Sequence, residues 1–417
     1  MGMTIAEKIL AAKSGQKTVA PGDVVTIQLD TIILFDNNFV PSNWRDIQRV
    51  CDPQRIVVVL DHRVPAPNQI AAGAHRTGRE FVKRFGIKRF HDVGREQGIS
   101  HQLVADYGYA VPGSTLVCSD SHTCSGGVFN CLARGVGGPD IIYAAVKGET
   151  WFRCGETTRY ELEGTLPRAV TAKDAFLQIA GVHGDHATQN VEYGGSGIAG
   201  LNINARKTIT TMSAELSAEF ATFECDDVLT QWVRARTQTP FEAVQPDANA
   251  KYKAVRKVNL SALEPLVALP DSVVNNSQAV GALKGTRIDQ AYIGSCANGT
   301  QDDLELAAAV VRGKRVAAGV RLIVVPASQT VYRDALKSGA IATLVDAGAI
   351  IAPPTCGACG GGHMGVLAAD EVCITSSTRN FKGRMGEPSS RVFMASPATV
   401  AASALVGTIA DPREFLN

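Results

Sequence analysis

The sequence predicts an α/β protein with mostly parallel sheets. Short runs of β-branched and other apolar residues, bounded by turn residues or charges, are typical of buried strands. Segments with helical spacing lie between these runs, and chains that alternate strands with helices favour parallel sheets. The chain has 417 residues, and at about 150 residues per domain we expect two to three such units.

The strand pattern occurs along most of the chain. Each predicted strand is short and apolar and stops at a charge, a glycine or a proline. The predicted strands are Arg55–Asp61, Ser114–Cys118, Gln290–Ile293, Arg321–Pro326, Ala349–Ala352 and Glu371–Thr375.

Two capping-box patterns predict where helices begin. The first is Thr4 with Glu7, and the second is Thr171 with Asp174. We expect the second helix to end at Gly181, because glycine is the usual residue just after a helix.

Composition and charge exclude several classes of protein. Hydrophobic residues make up 45% and charged residues 19% of the chain, so it can bury a core and is not disordered. Lys and Arg number 41 against 40 Asp and Glu, which argues against binding to nucleic acid. The apolar runs are far shorter than the roughly 20 residues of a membrane helix. The first residues show no signal peptide, so we expect a cytoplasmic protein.

Reactive side chains follow three of the predicted strands. Asp61 and His62 end the first, Asp120 and His122 follow the second, and Cys296 follows the third. In open α/β sheets, ligands bind beyond the carboxyl ends of the strands. We therefore expect these side chains to share one cleft.

The role of the Cys356-Gly-Ala-Cys359 motif is open on residue pattern alone. The chain has ten cysteines and no secretion signal, which argues against a disulfide framework. Buried structural thiols, a zinc site and a redox pair all fit the motif. A further hypothesis adds Cys296, so that three thiolates bind an iron–sulfur cluster and leave one iron open. Neither His363 nor Cys373 completes a familiar zinc spacing.

Two further motifs are interpreted in opposite ways. Arg379 and Arg384 follow a predicted strand, and their planar guanidinium groups suit carboxylate ligands.

Residues 195–200 match the dinucleotide-binding pattern G-x-G-x-x-G. Residues 189–193 make a poor strand, however, and neither a long helix nor a second strand is predicted afterwards. We therefore predict no dinucleotide site.

Taken together, the motifs resemble the aconitase family of hydro-lyases. The similarity runs through almost the whole chain and is closest to two-subunit members that act on 3-isopropylmalate in leucine biosynthesis. The matching stretches are Thr4–Ile9, Asp61–His62, Ile99–Gln102, Ser119–Thr123, Thr171–Asp174, Ile293–Cys296, Cys356–Cys359, Arg379–Arg384 and Ala395–Pro397.

The resemblance implies an aconitase-like iron–sulfur domain of three α/β/α subdomains around a shared cleft. We expect the subdomains to cover residues 1–155, 156–285 and 286–417. The swivel domain of larger relatives is absent from this chain, so a separate small subunit is expected to supply it. The enzyme is then expected to be active only as a complex.

The resemblance also implies the site residues. Cys296, Cys356 and Cys359 would hold a [4Fe–4S] cluster with one open iron. The implied catalytic residues, as carboxylate–imidazole pairs, are Asp61 with His62, Asp120 with His101, and Glu215 with His122. His62 would act as the general acid that protonates the leaving hydroxyl. The implied substrate-binding residues are Ser121, Thr378, Arg379 and Arg384.

Several near-site positions depart from the family's pattern, and these departures bear on the substrate more than on the reaction. Four of them are Thr211, Ala297, Thr300 and Thr378. A site that lacks a specific hydrogen-bond donor can reject a substrate by orders of magnitude. The alternative substrates are other substituted malates or citrate-like acids. Alternatives of a different class are a zinc or thiol-redox protein and a non-catalytic binding protein.

Overall fold

The protein is built on four sheets, and its computed structural model describes residues 2–416. The strands, in chain order, are β1 (Val24–Gln28), β2 (Thr31–Phe35), β3 (Ile56–Val59), β4 (Arg89–His91), β5 (Thr115–Cys118), β6 (Leu132–Gly135), β7 (Glu149–Arg153), β8 (Thr157–Glu163), β9 (Asn190–Gly194), β10 (Ala221–Phe223), β11 (Ala254–Asn259), β12 (Leu266–Ala268), β13 (Ser277–Ala279), β14 (Gln290–Ile293), β15 (Arg321–Val324), β16 (Ile350–Ile351), β17 (Val372–Thr375) and β18 (Arg391–Ala395).

Helices connect most of the parallel strands. In chain order they are α1 (Ile5–Ser14), α2 (Gln69–Phe85), α3 (Ser100–Tyr107), α4 (Gly138–Lys147), α5 (Ala172–His183), α6 (Ile203–Met212), α7 (Asp227–Arg234), α8 (Ser295–Asn298), α9 (Gln301–Val311), α10 (Gln329–Lys337), α11 (Ala340–Asp346) and α12 (Pro397–Val406). Among residues 2–416, no helix has both the length and the hydropathy needed to cross a bilayer.

Two of the sheets place their strand ends at the site described below. The first has the order β4-β3-β2-β5-β6 and is entirely parallel. The larger sheet has the order β13-β12-β18-β17-β14-β15-β16. In the first sheet the chain order reverses between β2 and β5, and in the larger sheet between β14 and β17. Such switch points open a crevice at the carboxyl ends of the strands.

The predicted α/β class and the predicted strands are confirmed, with ends that differ by one or two residues. The buried strands are apolar on both faces, as a sheet covered by helices requires. All four residues of β3, of β5 and of β14 are buried. A four-stranded parallel sheet of order β10-β9-β8-β11 and the antiparallel pair β1-β7 complete the fold.

The predicted three-way division of the chain stays a prediction. The first sheet uses residues 31–135 and the four-stranded sheet uses residues 157–259. Strands β12 and β13 lie before the predicted boundary at 285, and they pair in the seven-stranded sheet. The chain therefore enters the larger sheet before that boundary.

Both predicted capping boxes are present, but the predicted end of the second helix is wrong. Thr4 and Thr171 cap α1 and α5 reciprocally with Glu7 and Asp174. Helix α5 runs through Gly181 and ends at Gly184, which has a φ of 67°. A Cβ atom at Gly181 would lie 3.1 Å from the Cβ of Ser277. This glycine therefore allows α5 to pack closely against β13 and does not end the helix.

The expectation of a poor strand before the glycine motif is also wrong. Strand β9 is buried at all five positions, and helix α6 and strand β10 follow it. The motif glycines pack against the end of the neighbouring strand. Cβ atoms at Gly195 and Gly197 would lie 2.6 and 2.9 Å from the carbonyl oxygen of Leu162. Close packing of two chain segments accounts for these glycines, and the absence of a dinucleotide site stays a prediction.

We predict that Thr171→Ala destabilises the protein by about 1 kcal/mol, because an amide at the start of α5 loses its side-chain acceptor. Thr171→Ser keeps the hydroxyl and should behave like the wild type. Urea unfolding followed by far-UV circular dichroism measures both variants. Equal stability of the alanine and serine variants would contradict this role for the cap.

Candidate active site

The carboxylate of Asp120 lies at the centre of a group of histidines. Its Oδ1 is 2.9 Å from His101 Nε2 and accepts a 2.7 Å hydrogen bond from the backbone N–H of His122. Its Oδ2 is 3.1 Å from His62 Nε2. Asp120 also caps the 3₁₀ helix Ser121–Phe129, so the end of β5 fixes the carboxylate in place.

His62 lies between two carboxylates. Its Nδ1 is 2.7 Å from Asp61 Oδ1, and its Nε2 faces Asp120. The side chain of His62 is 17% exposed, whereas those of His101 and His122 are 2% and 5% exposed. His62 is therefore the imidazole of this group that a ligand reaches most readily.

The third predicted pair is joined to an arginine. His122 Nε2 lies 3.1 Å from Glu215 Oε1, and Arg379 Nε donates to the same oxygen at 2.7 Å. The structure thus brings all three predicted carboxylate–imidazole pairs within hydrogen-bonding distance. Glu215 lies in a short 3₁₀ helix that directly follows α6.

The carboxylates and imidazoles stabilise one another as ions. Burial opposes charge on the His62 ring, but the nearby Cys356 and Asp61 hold the pKa of His62 well above its usual range. Burial likewise opposes ionisation of Asp120, yet His101 and the other histidines hold the pKa of Asp120 well below its usual range. Against its own burial, His122 also has a raised pKa, owing to Asp120 and Glu215.

The three predicted cluster cysteines come from two loops at the carboxyl edge of the larger sheet. Cys296 lies in the short helix α8 after β14, and Cys356 and Cys359 lie in the loop after β16. Ser295, just before Cys296, has a φ of 75°, a strained conformation that is more frequent at functional sites. Cys296 and Cys359 are buried and Cys356 is half-buried, and all three are free thiols.

The cysteine arrangement fits a cluster better than a single ion. Within residues 2–416, one group of three or more His, Cys, Asp or Glu has its ligand atoms within 4.8 Å of one another, and it is Asp36, Asp61 and His62. The three cysteine sulfurs are therefore too far apart to bind one zinc ion together. A cluster needs wider spacing, because each thiolate binds a different iron.

Backbone contacts join the cysteine loop to the first sheet. The N–H of Cys356 donates to the carbonyl oxygen of Asp61 at 3.2 Å. The hydroxyl of Thr355 donates to the same oxygen at 2.9 Å. His363 Nε2 lies 3.0 Å from the carbonyl oxygen of His62. The cysteine loop and the acid–base residues are therefore held together as one site.

The predicted substrate-binding residues surround this centre in different ways. Thr378 Oγ1 lies 3.5 Å from Cys359 Sγ. The Nε of Arg384 is buried without a hydrogen-bond partner in residues 2–416. Burial opposes the Cys359 thiolate, but Arg384 and Thr378 lower the pKa of that thiol below its usual value. Ser121 is exposed beside Asp120, and Arg379 is held by Glu215.

Two of the other three positions that depart from the family's pattern make clear local contacts. Thr300 caps α9, and its hydroxyl donates to Asp303 at 2.6 Å. The carbonyl oxygen of Ala297 accepts a hydrogen bond from Thr208 at 2.9 Å. The hydroxyl of Thr211 is buried with no hydrogen-bond partner in the described part of the chain, and nothing in the structure explains this threonine.

One site residue was missed from the sequence. Asp36 is buried at the end of β2, and its carboxylate accepts hydrogen bonds from the backbone N–H groups of His62 and Arg63 at 3.3 and 2.7 Å. It therefore shapes the turn that presents His62. Its position directly after a strand, like that of Asp61 and Asp120, was the available signal.

The size of a cavity does not identify this site. A cavity of about 670 Å³ lies at the opposite edge of the first sheet, lined by residues that include Lys13, Thr31, Arg89 and Ser114. None of the predicted site residues lines it. We identify the site from its chemistry and from the switch points of the two sheets.

Comparisons with known proteins show the family of this chain. The sequence model of the Aconitase family (aconitate hydratase) matches residues 43–280 and 272–407. The 3-isopropylmalate dehydratase large subunit of Mycolicibacterium smegmatis is 50% identical, covering 100% of this chain and 98% of that protein. The 3-isopropylmalate dehydratase large subunit 1 of Methanopyrus kandleri is 43% identical, with full coverage of both chains.

A solved structure shows the same fold. The holo-form of Thermococcus kodakaraensis aconitase X matches with a TM-score of 0.50 at 12% identity, covering 94% of this chain and 97% of that chain. The structural match confirms the predicted aconitase-like fold. The family and its relatives confirm the hydro-lyase class and the [4Fe–4S] cofactor. The chain belongs to the aconitase family.

Proposed function

We propose that this chain is the large subunit of a [4Fe–4S]-dependent 3-isopropylmalate dehydratase, which removes water from a 2-hydroxy dicarboxylic acid and adds it back at the neighbouring carbon. The observation that carries the proposal is the His62 ring, held between Asp61 and Asp120 beside the loop of Cys356 and Cys359. The names of the two relatives described above support the substrate.

The cysteines define where the cofactor belongs. Cys296, Cys356 and Cys359 hold the cluster in this proposal, and no fourth cysteine is assigned to it. When bound, such a cluster supplies an open iron that acts as a Lewis acid toward the leaving hydroxyl.

His62 supplies the proton in this proposal. Asp61 and Asp120 favour the charged ring, so the imidazolium is available near neutral pH despite its burial. The hydrogen bond from Nδ1 to Asp61 orients the ring, which leaves the Nε2 proton on the side of Asp120 and the cleft. A positioned acid of this kind protonates the departing oxygen as the carbon–oxygen bond breaks.

The arginines bind the carboxylates of the substrate. Arg379 holds Glu215 through Nε, and its two terminal nitrogens form no hydrogen bond within residues 2–416. Arg384 has a buried Nε without a partner. Guanidinium groups with unsatisfied donors in a partly dry site bind carboxylates strongly. Ser121 and Thr378 line the same pocket in this proposal.

A small subunit completes the enzyme. The relatives are named large subunits, which supports a second chain that closes the cleft and brings a catalytic base. The base removes the proton on the carbon next to the one that loses hydroxide. In this proposal the large subunit therefore supplies the general acid, and the small subunit supplies the base.

One observation favours an alternative substrate. The Thr211 hydroxyl is buried with no hydrogen-bond partner in residues 2–416, four positions before Glu215, where the family's pattern has an amide. A different hydrogen-bond inventory at this point suits another substituted malate or a citrate-like acid. A zinc or thiol-redox function is the alternative of a different class, and it would use Cys356 and Cys359 without Cys296.

We predict that the isolated chain with a loaded cluster has little or no dehydratase activity and that a small subunit from a close relative restores it. The alkene formed next to a carboxylate absorbs in the ultraviolet, which gives a direct assay with 3-isopropylmalate. Full turnover by the isolated chain would contradict the two-subunit proposal. Turnover of another hydroxy acid but not of 3-isopropylmalate would support the alternative substrate.

We predict that protein reconstituted without oxygen contains roughly four iron and four sulfide per chain, and that Cys296→Ser loses most of both. Iron and acid-labile sulfide analysis with the visible spectrum measures this. Cys225→Ser removes a buried thiol that the proposal does not use, and it should keep the cluster. Retention of iron and sulfide by Cys296→Ser would point to the Cys356 and Cys359 pair alone.

We predict that His62→Gln lowers kcat of the assembled enzyme by about 10²–10⁴-fold, the usual contribution of a general acid, with little change in cluster content. His183→Gln alters a histidine of α5 outside the site and should leave kcat unchanged. A His62→Gln enzyme with normal kcat and raised KM would show that this histidine binds substrate and does not donate the proton.

A further inference from the structure

Two lysines are completely buried behind the cluster cysteines. Lys173 lies on α5 and Lys207 lies on α6, and both side chains are 0% exposed. An ammonium group removed from water destabilises a protein by several kcal/mol unless a negative charge compensates for it. Neither lysine forms an ion pair within 4.0 Å in residues 2–416.

Arg206, a third fully buried cation, shows how a buried positive charge is usually compensated. Arg206 is also 0% exposed, but its guanidinium binds both carboxylate oxygens of Asp226 at 2.6 and 2.8 Å. It also donates to the carbonyl oxygens of Leu201 and Ile198. Lys173 and Lys207 lack such a carboxylate, so their charge needs another partner.

Lys173 contacts the backbone beside the threonine that touches Cys359. Its ammonium group donates to the carbonyl oxygen of Ser377 at 2.9 Å. The next residue, Thr378, contacts the sulfur of Cys359. The remaining neighbours of the ammonium group are the sulfurs of Met212 and Met394, at 3.2 and 3.8 Å, which are weak acceptors. This environment solvates an ammonium ion poorly.

Lys207 lies on the other side, behind Cys296. Its ammonium group donates to the side-chain oxygen of Gln102, the residue after His101. The next residue on α6, Thr208, donates to the carbonyl oxygen of Ala297 at 2.9 Å. Helix α6 is therefore fastened to the backbone that carries Cys296.

The same negative groups act on both lysines. Burial lowers the pKa of Lys173 to about 8, and Asp303, Cys296 and Cys359 oppose this effect. Burial also lowers the pKa of Lys207, against Asp106, Cys296 and Asp303. Asp303 is engaged by Thr300 at the start of α9. Cys296 and Asp303 thus lie close enough to both ammonium groups to favour their charged forms.

We infer that Lys173 and Lys207 are buried counter-cations for the iron–sulfur cluster, set behind Cys359 and Cys296. The inference rests on the proposed cluster and its three cysteine ligands. Three thiolates outweigh the two positive charges of an oxidised [4Fe–4S] core, so the assembly is negative, and one-electron reduction makes it more negative. Net charge around a cluster sets its reduction potential. The two ammonium groups therefore raise that potential and hold the cluster more firmly.

The inference predicts that replacing either lysine has opposite effects on the protein with and without its cluster. Without a cluster, the lysines are buried charges with little compensation, and an apolar side chain of similar length is tolerated or stabilising there. With a cluster, loss of either charge weakens the site. A purely structural lysine would instead destabilise both forms when replaced.

The test compares Lys173→Met, Lys207→Met and a control, Lys8→Met, each reconstituted without oxygen as the full chain. Lys8 is ion-paired with Asp247 near the protein surface, so its loss changes net charge equally at a different place. Dithionite titration followed by electron paramagnetic resonance gives the midpoint potential of the cluster. Loss of visible absorbance in excess chelator gives the rate of cluster release, and melting of the apoprotein gives its stability.

We expect both buried variants to have a lower midpoint potential than the wild type and to release the cluster about 10-fold faster, the lower end of what second-shell changes produce at metal sites. Their apoproteins should melt at the wild-type temperature or above it. Lys8→Met should keep the wild-type potential and release rate.

Three outcomes would overturn the inference. Variants that hold a cluster with the wild-type potential and release rate would refute it while leaving the proposed function intact. Apoproteins of Lys173→Met and of a second variant, Lys173→Gln, that are insoluble or melt well below the wild type would show a structural role instead. A wild-type chain that assembles no cluster would overturn the proposed function and this inference together.

Discussion

The hydrogen bonds that converge on Asp120 hold the acid–base half of the site together. One partly buried carboxylate contacts the rings of His62 and His101 and the backbone of His122, and it also caps the 3₁₀ helix after β5. An ion surrounded by imidazoles in a dry place stabilises their charged forms and fixes their orientation. A single residue therefore positions the strand end, the helix cap and the His62 ring.

The second half of the site depends on a contact between sheets. The carbonyl oxygen of Asp61 accepts hydrogen bonds from the cysteine loop, through Thr355 and the backbone of Cys356. The carboxyl edges of the two sheets consequently meet at one site. His62, His101 and His122 come from the first sheet and the three cysteines from the larger sheet, so the two groups of side chains are adjacent but separate.

Much of this arrangement could be predicted from local sequence. Apolar strands that end in Asp61 or Asp120 indicated both the parallel sheets and the position of the site. The errors arose where distant contacts decide the structure. Strand β9 looks too polar to be buried, but its Glu192 is satisfied by Arg159 and by the backbone of Ile5. The charge partners of such a residue lie far away in the chain, so no local pattern reveals them. Asp36 was missed for a related reason, because its role depends on the backbone of a different loop.

The hydrogen bond between Thr355 and the carbonyl oxygen of Asp61 joins residues 294 positions apart. The site can therefore form only late in synthesis of the chain. The histidines leave the ribosome long before the last two cysteines are translated, and no portion of the chain short of Cys359 holds a complete set of thiolates. With the proposed ligands Cys296, Cys356 and Cys359, cluster insertion follows the translation of nearly the whole polypeptide.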